Sequence, residues 1–141
     1  MALSYRLAGS SDASLFERIA GGVFDHSVEL SLLADFLNDP RHHLAVADDD
    51  GLIVGFVSAV DYVHPDKPRQ LWINEIGVAP DHRGAGVGKK LMQMMIEIGQ
   101  SLGCTEVWVL TDEKNEPARA LYESSGLRSC GAQLIFSRKL D

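Results

Sequence analysis

The sequence of 141 residues is poor in cysteine, and its two cysteines, Cys104 and Cys130, form no CxxC pair. Two such residues are too few for a disulfide framework. The longest apolar run, residues 52–60, is about half the length that a membrane-spanning helix needs. The N-terminus lacks the basic and apolar stretches of a secretory signal. We therefore expect a cytoplasmic protein with reduced thiols and no membrane partner.

Basic residues are also scarce, since 13 Lys and Arg stand against 20 Asp and Glu, for a net charge of -7. Domains that bind duplex nucleic acid carry a basic face, so we expect no nucleic-acid partner. An acidic chain suits a cationic substrate, although acidic chains are common among soluble proteins. No repeat, linker or low-complexity tract divides the chain, which predicts one domain over residues 1–141.

Hydrophobic periodicity predicts strands and helices in the order β-α-α-β-β-β-α-β-α-β. The acidic turn at 48–51 ends in Gly51 and predicts an antiparallel hairpin, and residues 64–68 are predicted to form a loop. The strand, helix and strand between residues 71 and 110 indicate a right-handed parallel crossover, and thus a mixed α/β class. The predicted strands are 5–8, 43–47, 52–63, 71–78, 105–110 and 133–140, and the predicted helices are 12–24, 27–37, 87–102 and 116–125.

The segment most informative about chemistry is VAPDHRGAGVGKK, residues 78–90, which lies between a predicted strand and a predicted helix. Glycines at that junction let backbone N–H groups approach a ligand, and a helix N-terminus favours an anion such as phosphate. Lys89 and Lys90 would suit the positive end of the helix dipole only if a bound anion offset them. The alternative is a glycine-rich turn with solvated lysines.

Two common phosphate-binding motifs do not fit this segment. A Walker A loop would need glycine where Arg83 stands and a hydroxyl residue where Lys90 stands. The dinucleotide fingerprint would need its third glycine at Lys89. A phosphate site in this segment would therefore differ from both the Walker A loop and the dinucleotide-binding loop.

The pattern Arg83-x-x-Gly86-x-Gly88 resembles the pyrophosphate loop of the GNAT superfamily of acyl-CoA-dependent N-acetyltransferases. The resemblance covers most of the chain. LWINEIGV at 71–78 is similar to the central strand of that family, and Asn115 followed by ARALYESSGL is similar to its later helix motif. It implies a GNAT fold, with a mixed, mostly antiparallel twisted sheet of six to seven strands and about four helices.

The resemblance also implies acetyl-CoA as cosubstrate and assigns residues to it. In the family the strand before the loop splays from its neighbour, and the pantetheine arm pairs with the exposed backbone, here that of Ile76, Gly77 and Val78. Asn115 and Tyr122 would approach the pantetheine and the thioester from the other side. The pyrophosphate would be held by Arg83, Gly84, Ala85, Gly86, Val87, Gly88 and Lys89.

Two residues are candidates for catalysis. Glu75 lies in an apolar strand, which should raise its pKa and suit a general base; the alternative is a Glu paired across the sheet or solvated. Tyr122 has a phenol suited to protonating a departing thiolate, while the stripe formed with Ala118 and Leu121 equally predicts a core tyrosine. The resemblance favours the catalytic role for both.

Within the family the sequence is most similar to the aminoglycoside 3-N-acetyltransferase type I-like branch, through residues 64–68, 72–80 and 108–112. This similarity implies transfer of an acetyl group to a primary amine of a small cationic acceptor, aminoglycoside- or polyamine-like, by direct attack in a ternary complex. The alternatives are a protein, peptide or amino-acid acceptor, or a non-catalytic acyl-CoA-binding module. Acidic residues that could line the acceptor cleft are Asp61, Glu29, Asp112 and Glu113.

Metal and oligomer expectations follow from weaker patterns. His42 and His43 have no third ligand at metal spacing, so we expect no metal cofactor. Family members often pair as homodimers, frequently through C-terminal strands. Residues 133–140 alternate apolar and polar side chains only loosely, which leaves a homodimer open.

Overall fold

The computed structural model describes residues 2–141 and contains one mixed sheet with helices packed against it. The mixed α/β class is confirmed, although the described residues form five strands and three α-helices where the sequence predicted at least six and about four. Short 3-10 turns lie at Ala13–Glu17 and Pro80–His82. The strands are β1 Leu3–Leu7, β2 His42–Asp49, β3 Leu52–His64, β4 Lys67–Val78 and β5 Glu106–Val109, and the helices are α1 Leu30–Asn38, α2 Val87–Ser101 and α3 Glu116–Ser124.

The sheet runs in the order β1-β2-β3-β4-β5, and only β4 and β5 are parallel. The predicted hairpin of β2 and β3 is confirmed, and Gly51 adopts the left-handed φ of +85° that its turn requires. The parallel crossover is confirmed as well, with α2 carrying the chain from β4 to β5. A predicted loop at 64–68 is instead a tight hairpin, because β3 extends to His64 and β4 already begins at Lys67.

The core lies between α2 and the centre of the sheet. Leu91, Met92 and Met95 of α2 are fully buried and face strands β2, β3 and β4. Each such side chain contributes about 1.5–3 kcal/mol by leaving water. The helix therefore holds the centre of the sheet rigid. The largest strand residues buried with it are Val46, Ile53, Val54, Val57, Leu71 and Ile73.

The helix predicted at 12–24 is wrong beyond its first turn. Its backbone is used by the sheet instead: Ala20 N–H donates to Ile53 O, and Ile53 N–H donates to Arg18 O, both at 2.9 Å. After this bridge Gly22 turns the chain with a φ of +82°. The second predicted helix begins at Leu30 rather than at residue 27, because Glu29 is still extended.

The strand predicted at 133–140 is also wrong, since residues 128–141 have no regular structure. A strand needs a neighbour for its N–H and C=O groups, and this segment extends away from the sheet. Its apolar side chains are consequently exposed, as shown by Leu134, Ile135, Phe136 and Leu140 at 78% or more.

Strand β4 changes its neighbours along its length. Residues 70–73 pair with β3 on one side and β5 on the other, whereas residues 75–78 pair with β3 alone. The change coincides with a β-bulge, because Ile73 lies opposite Ala59 and Glu75 opposite Ser58, so that Asn74 has no partner. Bulges bend a strand and redirect its side chains. After Ile73 the edge of β4 that faces β5 has no strand partner, and this part of the strand is its open end.

Candidate active site

Beyond the bulge, Glu75 and Gly77 of β4 lie on the sheet face opposite α2, where a pocket is found. Gly55 faces α2, because a Cβ built there would meet Val87 and Leu91. The next residue of β3, Phe56, therefore faces the other way, and so does its partner Gly77. Glu75 lies two residues before Gly77 on that same face. The pocket is lined by Val23, Asp25, Phe56, Glu75, Ile76 and Tyr122.

Glu75 combines solvent access with a perturbed acidity. The residue is exposed at the mouth of the pocket, where an acceptor can reach it. Its partial desolvation raises the pKa of the carboxyl above the ordinary 4.5, and the charge and hydrogen bond of Asp25 raise it further. A positive charge on the His26 ring acts in the opposite direction. No ion pair links Glu75 to a lysine or arginine among residues 2–141, and its raised pKa is compatible with the general base expected from the sequence.

Tyr122 reaches the same pocket from α3. The helix begins after Asn115, whose side-chain oxygen accepts the Ala118 N–H at 3.2 Å, and Pro117 lies in its first turn. Tyr122 is half-buried, and burial raises the pKa of its phenol. The ring packs against the core while also lining the pocket. It therefore fits both interpretations made from the sequence.

The glycine-rich loop ends at the start of α2 with its backbone donors free. Gly84 and Gly86 have φ values of +81° and +80°, and a Cβ at either would meet no atom within 4 Å. No side chain caps α2, and its first turn holds no acidic residue. Uncapped N–H groups at a helix N-terminus attract an anion. The loop therefore fits a phosphate group.

Arg83 lies between this loop and the open end of β4. Its Nε donates to the carbonyl of Val78 at 3.1 Å, which ties the loop to the last residue of the strand. Within residues 2–141 the guanidinium has no acidic partner, and Lys89 and Ala85 nearby are exposed. The positive charge remains available to an anion.

Several residues assigned to the cosubstrate also have a structural role. Val87 is buried in the core, so that only its backbone can face a ligand. A Cβ at Gly88 would come within 3.3 Å of Leu121, which shows that this glycine lets α2 and α3 approach closely. A Cβ at Gly77 would overlap the carbonyl oxygen of Val23. None of these contacts was visible in the motif.

The 3-10 turn before the loop is anchored to the β2–β3 hairpin. His82 Nε2 and Asp49 Oδ2 lie 2.9 Å apart, and His82 is mostly buried. The hydrogen bond from His82 lowers the pKa of the Asp49 carboxyl. The anchor keeps the loop beside the sheet.

Acidic residues expected at the acceptor cleft lie elsewhere, and a different one is there. Asp61 is buried, with His43 at 2.6 Å and Arg69 also ion-paired to it, and so cannot face a ligand. Glu29, Asp112 and Glu113 do not line the pocket. Asp25 does, but it belongs to a segment that the sequence predicted to be just past a helix. No periodicity or motif marked it.

Residues 2–141 contain neither a metal-binding cluster nor a helix that could span a membrane. No group of three or more His, Cys, Asp or Glu side chains is placed to hold a metal ion. No helix combines the length and hydropathy that crossing a bilayer requires.

Comparison with known proteins identifies the family. Residues 13–127 match the model of the Acetyltransferase (GNAT) family. An uncharacterized N-acetyltransferase of Mycobacterium tuberculosis is 26% identical over 117 residues, which cover 83% of this chain and 72% of that protein. Streptothricin acetyltransferase of Streptomyces lavendulae is 36% identical over 93 residues, 66% of this chain and 47% of the relative.

The fold is shared with solved structures. An aminoglycoside acetyltransferase from an uncultured soil metagenomic sample, solved in complex with trehalose, superposes with a TM-score of 0.82 at 20% identity, covering 99% of this chain and 97% of that one. The strand edge left unpaired after Ile73, the glycine loop and the family match agree with one another. The chain belongs to the GNAT acetyltransferase family and is an acetyl-CoA-dependent N-acetyltransferase.

Proposed function

We propose that the protein transfers an acetyl group from acetyl-CoA to a primary amine of a small cationic acceptor, aminoglycoside- or polyamine-like, by direct attack in a ternary complex. The observation that carries the proposal is the pocket at the open end of β4. It places a carboxyl of raised pKa, Glu75, and a phenol, Tyr122, on one cavity beside unpaired strand backbone.

The cosubstrate fits along β4 and the loop. Residues 74–78 lack a neighbour on the β5 side, so the backbone of Ile76, Gly77 and Val78 can pair with the amide groups of the pantetheine arm. Arg83 and the loop 84–89 would hold the pyrophosphate at the α2 N-terminus. Asn115 uses its side-chain oxygen to cap α3, which leaves its NH2 group for pantetheine.

Each catalytic residue has one proton to move. The acceptor arrives as an ammonium ion, and Glu75 takes a proton from it to free the lone pair. The amine nitrogen then bonds to the thioester carbonyl carbon, and the carbon–sulfur bond breaks. The departing thiolate takes the phenol proton of Tyr122, and the nitrogen loses its second proton to restore the phenol. Glu75 finally releases its proton to solvent.

The acceptor class is supported by the pocket and by the names of related proteins. Two carboxyl groups and no lysine or arginine line the pocket, which favours a cation. One relative is a streptothricin acetyltransferase and one structural neighbour an aminoglycoside acetyltransferase. Since a shared fold does not fix a substrate, a peptide or amino-acid acceptor is the rival that the assay must include.

The decisive experiment follows thiol release from acetyl-CoA with aminosugars, polyamines, amino acids and peptides as acceptors. We expect turnover with the polycationic amines. Glu75→Gln should lower kcat at neutral pH by roughly 100-fold or more, the range for loss of a general base. Its affinity for acetyl-CoA should be unchanged, because the carboxyl lies on the acceptor side.

Asp35→Asn is the matched control, since it removes an exposed carboxylate of α1 outside the pocket. It should keep wild-type turnover. Full activity in the Glu75 variant would refute the base assignment. Binding of acetyl-CoA without turnover of any amine would favour a non-catalytic acyl-CoA-binding module.

We also propose that two copies of the chain pair through residues 128–141. Strand β5 is the last strand of the sheet and has an unpaired outer edge. The C-terminal segment carries an apolar run, Leu134, Ile135 and Phe136, that is exposed at 78% or more. Such a run needs a cover, and an unpaired strand edge needs a strand. A second copy supplies both at once.

Light scattering on the purified protein tests the pairing. The expected mass is twice the 15.4 kDa of one chain. Ile135→Asp should give monomers, because a buried charge without a partner is costly at an interface. A monomeric wild-type protein at all concentrations would contradict the pairing and leave the catalytic proposal untouched.

A further inference from the structure

The pocket contains a second carboxylate for which acetyl transfer as such has no use. Glu75 is sufficient to take the proton of the acceptor, yet Asp25 lines the same cavity, and its charge raises the pKa of the Glu75 carboxyl. Neither residue has an ion-pair partner among residues 2–141. Two adjacent carboxyl groups repel each other when both are charged, and their proximity calls for a reason.

Packing contacts of its neighbours fix the position of Asp25. The segment 21–26 is docked over the end of β4 at three points. Because Gly77 lacks a Cβ, the carbonyl oxygen of Val23 can pack directly on the strand. The ring of Phe24 stacks on Phe56 with centroids 4.0 Å apart. These contacts fix Val23 and Phe24, the two residues before Asp25, and so place Asp25 at the pocket.

The third docking point lies at the turn of that segment. Gly22 has a φ of +82°, and a Cβ there would come within 3.0 Å of the Pro80 ring. The glycine therefore lets the chain turn while in contact with the residue that starts the pyrophosphate-side 3-10 turn. The loop that carries Asp25 and the loop that carries Arg83 are thus packed on each other.

Charge accounting during the reaction distinguishes the two carboxyl groups. A monoamine brings one positive charge, and once Glu75 has taken its proton that charge is neutralised. The Asp25 carboxylate would then lie in the pocket with no cation of the substrate beside it. An acceptor with a second ammonium group compensates Asp25 throughout, because that group does not react.

Resting on the proposed function, we propose that Asp25 is a specificity-determining residue whose carboxylate holds a second, non-reacting ammonium group of a diamine or polyamine acceptor beside Glu75. The acceptor class narrows accordingly from amines in general to molecules with at least two ammonium groups. An acceptor with a carboxylate in the second position is rejected by like charge. Loss of Asp25 removes the preference for an acceptor with a second ammonium group.

The test compares three probes of similar length: diaminobutane, butylamine and aminobutanoate, each with acetyl-CoA. Wild-type protein should show a KM for diaminobutane that is roughly tenfold or more below that for butylamine, the effect of one charge-assisted hydrogen bond. Aminobutanoate should be the poorest acceptor. Asp25→Asn should raise the KM for diaminobutane to near that for butylamine, so that the ratio of the two KM values falls toward one, while the Kd for acetyl-CoA stays nearly unchanged.

The control variant is Asp35→Asn, which removes the same charge from the exposed face of α1 and should keep the wild-type ratio of KM values. An Asp25 variant that keeps that ratio would overturn the inference. If the wild-type protein acetylates none of the amines, the proposed function fails, and calorimetry with the CoA-saturated protein still decides the role of Asp25. A diaminobutane preference that disappears in Asp25→Asn supports the role, and equal binding of diaminobutane and butylamine overturns it.

Discussion

Both halves of strand β4 contain apolar side chains, but they differ in the strands that pair with them. Residues 70–73 lie between β3 and β5, and their end is held by Trp72 stacked on Trp108 with centroids 5.3 Å apart. Residues 75–78 pair with β3 only, and Glu75 lies on the pocket face. The bulge at Asn74 separates the halves. A strand can thus supply stability with one half and unsatisfied hydrogen-bonding groups with the other, at the cost of one unpaired residue.

The largest effect should come from a matched pair of substitutions in the two halves. Ile73 is fully buried, and Ile73→Ala should lower the free energy of unfolding by about 2–5 kcal/mol through the cavity it leaves. Ile76 is half-buried at the pocket, so Ile76→Ala should cost less stability and should weaken substrate binding instead. Denaturant unfolding and calorimetry with acetyl-CoA measure the two effects. Equal stability losses would show that the halves do not differ.

The hairpin, the crossover helix and the class of the sheet could all be predicted, because each depends on local patterns. Alternating apolar residues on either side of the turn that ends in Gly51 suffice for β2 and β3. The stripe of Leu91 and Met95 suffices for α2. Of the site, Glu75 and the glycine loop were found because they lie in motifs of contiguous sequence.

The features that the sequence did not predict correctly depend on contacts between distant parts of the chain. The segment after residue 17 has the apolar spacing of a helix, but hydrogen bonds to Ile53 of β3 hold its backbone extended. Residues 133–140 have the composition of a strand and no neighbour within residues 2–141. Asp25 reaches the pocket only because Gly77 admits the Val23 carbonyl. These outcomes follow from tertiary packing.

A smaller effect is expected at the open end of β4, where we propose that the guanidinium of Arg83 binds the pyrophosphate. Arg83→Ala should raise the Kd for acetyl-CoA by about tenfold, since one charge-assisted contact is lost. The unfolding free energy should change little, because Arg83 is exposed. Arg41→Ala, which removes an exposed arginine at the start of β2, is the control. Unchanged affinity for acetyl-CoA in Arg83→Ala would show that Arg83 does not contact the pyrophosphate.

The smallest effect concerns the acidity of Glu75 itself. Its pKa is raised in the folded protein, so the folded state binds the proton more tightly than the unfolded state. Ionised Glu75 is therefore slightly destabilising above that raised pKa, and the effect vanishes below the ordinary pKa, where both states are protonated. Glu75→Gln should give a small rise in Tm at neutral pH and none at low pH. A lower Tm at neutral pH would mean that the carboxylate has a stabilising partner.

The same shift predicts the pH dependence of catalysis. Because the base must be ionised, kcat/KM for the amine should fall as the pH drops through the raised pKa of Glu75. The fall should begin at a higher pH than the ordinary value of 4.5 would give. Steady-state rates over a pH series measure it, and the residual activity of Glu75→Gln should lack this limb.

Hydrogen exchange along β4, followed by NMR with and without acetyl-CoA, tests the difference between the two halves most directly. Acetyl-CoA should slow exchange at the amides of residues 74–78 that point away from β3, and at the loop 83–89. Exchange at residues 70–73 should stay the same, since β3 and β5 already pair with them. Protection of the first half alone, or of neither half, would contradict the assignment of the open end of β4 as the place where acetyl-CoA binds.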